Sequence, residues 1–183
     1  MTSRSWKGKN LELIKEASRH GEAKLSAQVQ IATSADQRAT VLAGIYVAAA
    51  TGIIGAVATG DAFKHNLPLV VGSVFSAVAF LIAAYLCIVA TLPVDFYVPG
   101  NEPEKWYDDI DANTPPEEAI GQQAAHFNDQ ILANNKTIAS NARYFQIGAL
   151  TGISAPIIGL VGAGLTCLLA SALASSVAAL AHP

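Results

Sequence analysis

Two long uncharged runs limit what this chain can fold into more than any other feature. The first covers residues 39–59 and the second residues 67–92, with a short polar hinge at 60–66 between them. At a helical rise of about 1.5 Å per residue, each run is long enough to cross a hydrocarbon core of about 30 Å. Because a backbone in lipid must satisfy its own hydrogen bonds, the two runs predict a transmembrane helical hairpin over residues 39–93.

A third uncharged block covers residues 144–181 and is longer than one membrane crossing requires. Two crossings would need a turn near Pro156 or at residues 162–164, and each half would then be too short. We therefore predict a single tilted span over about residues 145–172, kinked near Pro156 and followed by an apolar tail.

The composition agrees with three membrane spans. Charged residues make up 14% of the chain, against about a quarter in an ordinary soluble domain, while 52% of its residues are hydrophobic. We predict an all-α integral membrane protein with three transmembrane helices and a small cytoplasmic helical module. That module consists of a juxtamembrane helix in residues 1–38 and an acidic loop and helix in residues 94–143.

The orientation follows from the basic residues. Seven of the eleven basic residues precede the first span, whereas the hinge at 60–66 holds only Lys64. The positive-inside rule then places the N-terminus in the cytoplasm. With three spans, residues 94–143 also lie in the cytoplasm, and the hinge and the C-terminus lie outside.

The two cytoplasmic segments are both predicted to be helical and to continue directly into a span. In the first, a thin apolar stripe comprises Leu11, Ile14, Leu25, Val29 and Ala32, and Gln28 is placed off this stripe. In the second, Thr114-Pro115-Pro116-Glu117 predicts a helix start, with Thr114 and Glu117 as a capping box and Pro115 as the first helical residue.

Beyond that start, apolar residues recur every three or four positions from Ile120 to Phe145, which is close to a coiled-coil seam. Four asparagines lie on or beside this seam: Asn128, Asn134, Asn135 and Asn141. Two interpretations remain open, namely that they fix the register of helix packing or that they contact a ligand.

Small residues recur at helical spacing in the first and third spans. The first span carries Gly44, Ala48, Gly52, Ala56 and Gly60, and the third carries Gly148, Gly152, Ala155, Gly159, Gly162 and Thr166. Such stripes let helix backbones approach closely in lipid. We predict helix-packing roles for Gly52, Gly148, Gly152 and Gly159.

The sequence does not indicate an enzyme. It lacks a catalytic triad pattern, a paired carboxylate set and a glycine-rich phosphate loop. His126 and Asp129 share a helix face, but two ligands are too few to predict a metal site. The acidic residues of 94–143 argue against binding to a nucleic acid polymer.

One motif and the order of the elements resemble a known family. Ala35-Asp36-Gln37-Arg38-Ala39 closes the juxtamembrane helix, Pro93 ends the second span, and the helix over residues 131–143 leads into the third. This pattern, over about residues 20–165, resembles the transmembrane Pycsar effector family of bacterial anti-phage systems. Arg38 stands where the family's Ala-Asp-x-Lys-Ala motif has lysine. The pattern is more loosely similar to the two-span SLATT-type effectors.

The resemblance implies a role in abortive infection. A cyclic nucleotide made in response to phage would bind the cytoplasmic module, and the effector would then form a homo-oligomer and disrupt the bacterial inner membrane. No other cofactor is implied. The candidate ligand-binding residues are Asp36 of the motif and the cations Arg38, Lys136 and Arg143, since an anionic ligand needs cations near the module. The alternatives are a non-enzymatic membrane scaffold that holds a cytoplasmic partner and a small channel.

Overall fold

The computed structural model of the chain describes residues 6–63 and 66–181. The long helices are α1 (Leu11–Thr59), α2 (Leu67–Val89) and α4 (Pro116–Ala181), and the short α3 covers Tyr107–Asp111. Two turns of 3₁₀ helix cover Asp61–Phe63 and Pro103–Trp106. The described part of the chain holds no strand, and the predicted all-α fold is confirmed.

Three helices contain stretches long and apolar enough to cross a membrane: α1, α2 and α4. This confirms the number of predicted spans, by length and composition. Helix α4 continues without a turn through Pro156, so residues 144–181 form one continuous helix, as a single span requires. Lys64 and His65 of the predicted hinge lie outside the described residues.

Asparagine side chains cap the first two long helices. Asn10 Oδ1 accepts hydrogen bonds from the amides of Glu12 at 3.0 Å and Leu13 at 3.3 Å, and so starts α1. At the start of α2, Asn66 Oδ1 accepts from the Leu69 amide at 3.2 Å. These bonds satisfy amides that have no partner within the first helical turn.

The start of α4 differs from the prediction by one residue. The helix begins at Pro116, and the Ala119 amide donates to the Pro115 carbonyl at 3.1 Å, so Pro115 precedes the helix instead of opening it. The predicted capping box is wrong as well. The Thr114 amide, which a capping box would pair with Glu117, donates instead to the Asp109 carbonyl at 2.9 Å, and Glu117 Oε1 accepts from the amide of Gly8 at 3.5 Å.

The chain divides into two compact units, which we name the polar unit (residues 1–35 and 93–140) and the spanning unit (residues 36–92 and 141–183). Helices α1 and α4 each supply residues to both units. Each unit has its own core, and the two cores differ in chemistry.

The core of the polar unit mixes apolar and amide side chains. Its buried apolar residues are Ile14 and Leu25 from α1 and Ala119 and Phe127 from α4. Its buried polar residues are Gln28, Gln130 and Asn134. A side chain at Gly21 would meet the ring of Phe127, so this glycine lets α1 and α4 approach closely here.

The core of the spanning unit consists mainly of small residues. Its buried cluster comprises Ala39, Ala43, Tyr46, Ala83, Ala84 and Cys87, with Leu42, Phe80 and Phe145 packed against it. The rings of Tyr46 and Phe80 lie with centroids 5.8 Å apart. Close backbone approach, rather than the burial of large side chains, therefore characterises this core.

Candidate functional site

The four residues predicted to bind a ligand do not form a site within either unit. Asp36, Arg38 and Arg143 belong to the spanning unit, and Lys136 belongs to the polar unit. Asp36 is half-buried and the three basic side chains are exposed. Among residues 6–63 and 66–181, none of the four side chains takes part in an ion pair.

The most developed polar site lies in the polar unit and is built on Gln28. Gln28 Nε2 donates to the Ile131 carbonyl at 3.1 Å and to Asn135 Oδ1 at 2.9 Å. Gln28 Oε1 accepts from Asn134 Nδ2 at 3.2 Å. Gln28 and Asn134 are each only 1% exposed, so the bond between them is buried, whereas the bonds from Gln28 to Asn135 and to the Ile131 carbonyl are partly buried. All of the glutamine's hydrogen-bonding groups are therefore used inside the protein.

Asn134 also holds the segment that follows α2. Its Oδ1 accepts from the Tyr97 amide at 3.0 Å, and its Nδ2 donates to the Tyr97 carbonyl at 2.8 Å. This two-point contact resembles one step of a β-ladder and fixes the backbone at that residue. Since both amide hydrogens of Asn134 already have acceptors, the contacts favour the interpretation that this asparagine fixes helix register rather than the ligand interpretation.

The sequence pattern does not identify Gln28 as a buried residue. Its position off the apolar stripe suggested an exposed side chain, whereas the structure buries it against α4. The spacing of Gln28 does indicate burial. It follows the buried Leu25 by three residues and therefore lies on the same face of α1.

A second polar group lies one to two turns before Asn134 on α4. His126 Nε2 and Gln130 Nε2 lie 2.9 Å apart, and His126 is exposed. Gln130 Oε1 and Gln123 Nε2 are buried without a hydrogen-bond partner in the described chain. In the described part of the chain, no group of three or more histidine, cysteine or acidic residues could hold a metal ion.

In the spanning unit, the glycines of α4 lie against the other two helices, except for Gly164, which faces open space. A Cβ atom at Gly152 would overlap the ring of Tyr46, and one at Gly159 would overlap Ser76 and the carbonyl of Gly72. At Gly148 it would lie 3.0 Å from the Ala83 carbonyl oxygen. Any side chain at these three positions would push the helices apart.

Gly52 on α1 differs from those glycines. A Cβ atom placed there would meet nothing within 4 Å, and the same holds at Gly44. Both residues are exposed, together with Ala48 and Ala56 of the same stripe. The small-residue face of α1 therefore contacts no helix within the described chain.

Two hydroxyl groups join α4 to the other helices of the spanning unit. The Tyr46 hydroxyl on α1 donates to the Ala149 carbonyl at 3.2 Å. The Ser76 hydroxyl on α2 donates to the Ala155 carbonyl at 2.8 Å, and both Ser76 and Ala155 are buried. The two bonds hold α4 at points about six residues apart, both on the N-terminal side of Pro156.

The spanning unit has surface cavities that are open to their surroundings, and two of them concern α4. One, of about 440 Å³, is lined by apolar side chains of α2 and α4 that include Phe75 and Leu165. The other, of about 320 Å³, is lined by residues of all three helices, among them Ser73, Ser76 and Pro156. Neither is lined by an ionisable side chain.

Comparison of the chain with protein-family models, with curated proteins and with solved structures finds no match. The family resemblance therefore stays a hypothesis that rests on the motif at residues 35–39 and on the order of the helices. What the chain does must be argued from its own residues.

Proposed function

We propose that this protein is a signal-responsive membrane effector of a bacterial anti-phage system, which assembles and disrupts the inner membrane when a cyclic nucleotide binds. One observation carries the proposal: α1 and α4 each belong to both the polar unit and the spanning unit. A ligand that prefers one arrangement of the polar unit would therefore act on helices that are themselves the spans.

The proposed location is the inner membrane, with the N-terminus and residues 94–143 in the cytoplasm. The excess of basic residues before the first span supports this orientation. The contact between Gln28 and Asn134 adds support, because it requires the two segments to lie on the same side of the membrane.

The proposed ligand is anionic, and the cations nearest the spans are the candidates to hold it. Arg38, Lys136 and Arg143 are exposed and have no partner among the described residues, so their charges are available to phosphate oxygens. Asp36 is proposed as the fourth ligand-binding residue because it belongs to the same motif as Arg38, and its carboxylate would accept hydrogen bonds from the base or sugar of the ligand instead of contacting phosphate.

Assembly is proposed to use the small-residue face of α1. Gly44, Ala48 and Gly52 lie exposed on that face, whereas the corresponding face of α4 is already covered within the chain. In lipid, small residues are enriched where helices meet, because association there depends on close packing. A second copy of the chain is the proposed partner.

Dye release from proteoliposomes tests this proposal. The purified protein would be reconstituted in vesicles of bacterial lipids that contain a self-quenching dye, and cyclic mono-, di- and oligonucleotides would be added singly. We expect one of them to release dye, and Arg38→Gln or Lys136→Gln to weaken the response while insertion is unchanged. Lys15→Gln, an exposed cation far from the spans, is the matched control. Retention of dye with every nucleotide would contradict the proposal.

A membrane scaffold is the second candidate, and exposed apolar side chains in the polar unit favour it. Val98 is 61% exposed, Ile110 64% and Tyr107 57%. Apolar groups of this kind mark a protein-binding surface where they join into one patch. Three results together would favour the scaffold over the effector. One partner protein copurifies in a stoichiometric amount, Ile110→Ser no longer binds it, and the vesicles retain all of their dye with every nucleotide.

A further inference from the structure

Pro156 interrupts the hydrogen bonding of α4 inside the spanning unit. Proline has no amide hydrogen, so the Gly152 carbonyl, four residues earlier, has no helical donor. Glycine lowers helix stability further, and Gly152 and Gly159 flank the proline on the two sides. The stretch 152–156 is therefore the weakest point of this helix.

The part of α4 after the proline is held by few neighbours. Gly159 and Gly162 are its last buried residues. The side chains of Leu168, Leu169 and Leu173 are 65–68% exposed. Beyond Gly162, little packing within the chain opposes a change in direction, and a bend at the proline has to separate only Gly159, Gly162 and their neighbour Ala163 from α2.

Space for such a movement is present next to the weak point. The cavity of about 320 Å³ is lined by Pro156 and Gly159 of α4, by Ser73 and Ser76 of α2 and by Ile53 of α1. A tightly packed interior would oppose the bend, because close-packed side chains transmit strain directly. Here the cavity is open at the surface of the helices and lies where the two halves of α4 meet.

We infer that α4 hinges at residues 152–156 and that the hydrogen bond from Ser76 to the Ala155 carbonyl holds one of its two positions. In the position that the structure describes, the Ser76 hydroxyl holds the Ala155 carbonyl at 2.8 Å, directly before the proline. In the other position this bond is broken and the segment after Pro156 points in a different direction. The hinge does not depend on the identity of any ligand.

Distance measurements between two spin labels in lipid nanodiscs test the hinge. One label is placed on the native, exposed Cys167 and the other on α1 at Ile54→Cys, which is also exposed, with Cys87 replaced by alanine. We expect two distance populations. Ser76→Ala should increase the minor population about threefold, the change expected for a membrane hydrogen bond of average strength. Pro156→Ala should leave a single narrow distribution.

Ser73→Ala is the matched control, because Ser73 lines the same cavity and makes no hydrogen bond to α4 among the described residues. It should leave the two populations unchanged. A single narrow distribution in the parent protein that Pro156→Ala does not alter would overturn the hinge. An equal shift in Ser73→Ala and Ser76→Ala would overturn the role of the Ser76 bond. Pro156→Ala supplies an amide hydrogen that can pair with the Gly152 carbonyl, so we expect this variant to fold. The hinge can therefore be tested with Pro156→Ala alone, even if Ser76→Ala does not fold.

Discussion

The polar unit and the spanning unit join α1 to α4 by different means. In the polar unit, Leu25 and Phe127 are buried beside an amide network built on Gln28 and Asn134. In the spanning unit, glycine and alanine bring backbones together and two hydroxyl groups donate to α4 carbonyls. The difference follows from the solvent. Water drives large apolar side chains inward, whereas lipid provides no such force and leaves close packing to hold the helices.

The largest effect should come from filling the covered glycine seam. Gly152→Leu would place a side chain where the Tyr46 ring already lies, and overpacking of this kind costs about 3 kcal/mol or more. We expect the thermal unfolding midpoint in nanodiscs to fall sharply, or the variant to aggregate during purification. Circular dichroism and size-exclusion chromatography measure the two outcomes.

Gly52→Leu is the matched control for that variant. The same change on α1 points into open space, so the unfolding midpoint should stay the same or rise slightly, because leucine favours helix more than glycine does. Gly152→Leu disrupts the packing of helices within one chain. Gly52→Leu leaves that packing intact, so only this variant tests contacts between two copies of the protein. Equal destabilisation by the two variants would remove the distinction between the covered and the open face.

The next largest effect should come from the polar unit. Asn134→Leu leaves the Tyr97 amide and carbonyl and Gln28 Oε1 without partners, and unpaired polar groups in such a place cost about 2 kcal/mol. We expect a lower unfolding midpoint and faster hydrogen exchange at the Tyr97 amide. Asn128→Leu, at an exposed position on the same helix, should change neither. Unchanged exchange at Tyr97 in Asn134→Leu would show that the network does not fix this segment.

A smaller effect is expected at the other end of the same network. Gln28→Ala removes the donors to Asn135 and to the Ile131 carbonyl, which should lower stability by about 1.5 kcal/mol. Gln30→Ala, two residues away and exposed, should be neutral. Chemical unfolding of the pair measures the difference. If Gln30→Ala lowers the free energy of unfolding as much as Gln28→Ala does, then the lost stability comes from α1 itself and not from its contact with α4.

The smallest effect concerns the exposed pair of Glu16 and Arg19 on α1. The Arg19 guanidinium donates to both carboxylate oxygens, at 2.6 and 3.0 Å, and this hydrogen bonding lowers the pKa of Glu16. A carboxyl group with a lowered folded-state pKa stabilises the fold at neutral pH, and this contribution is lost as the pH falls through that lowered pKa. Because both groups are exposed and screened by water, Glu16→Gln should leave the unfolding midpoint unchanged.

The pKa of Glu16 can be read directly from a carbon-13 titration of its carboxyl group. Arg19→Gln should raise that pKa toward the ordinary glutamate value, and His20→Gln should raise it less, because the His20 ring lies 3.0 Å from the same carboxylate but is the weaker cause of the shift. A Glu16 pKa that does not respond to Arg19→Gln would contradict the pairing.

Much of the fold could be predicted from the sequence, because the signals for it are local. Uncharged runs of sufficient length predict spans whatever they pack against, and the single crossing by residues 144–181 follows from the lengths on either side of Pro156. The start of α4 was missed by one residue, because two successive prolines both suit the first helical turn.

The packing partners could not be predicted, because they depend on tertiary structure. Gly52 and Gly152 belong to the same kind of stripe, and only the arrangement of the helices decides that one is open and the other covered. Gln28 is chemically indistinguishable from the exposed Gln30 until Asn134 is placed opposite it. The ligand set at Asp36, Arg38, Lys136 and Arg143 was predicted from charge alone, and its geometry stays a prediction.

The most direct test of the central claim is the topology of the protein in the membrane. Single cysteines at Glu22, Trp106 and Asp61, in a background with Cys87 and Cys167 replaced, would be labelled with a membrane-impermeant maleimide in intact cells and in inverted vesicles. We predict that Asp61→Cys is labelled in intact cells, and that Glu22→Cys and Trp106→Cys are labelled only in inverted vesicles. Labelling of Trp106→Cys and Asp61→Cys from the same side would contradict three spans with the polar unit on the side of the N-terminus.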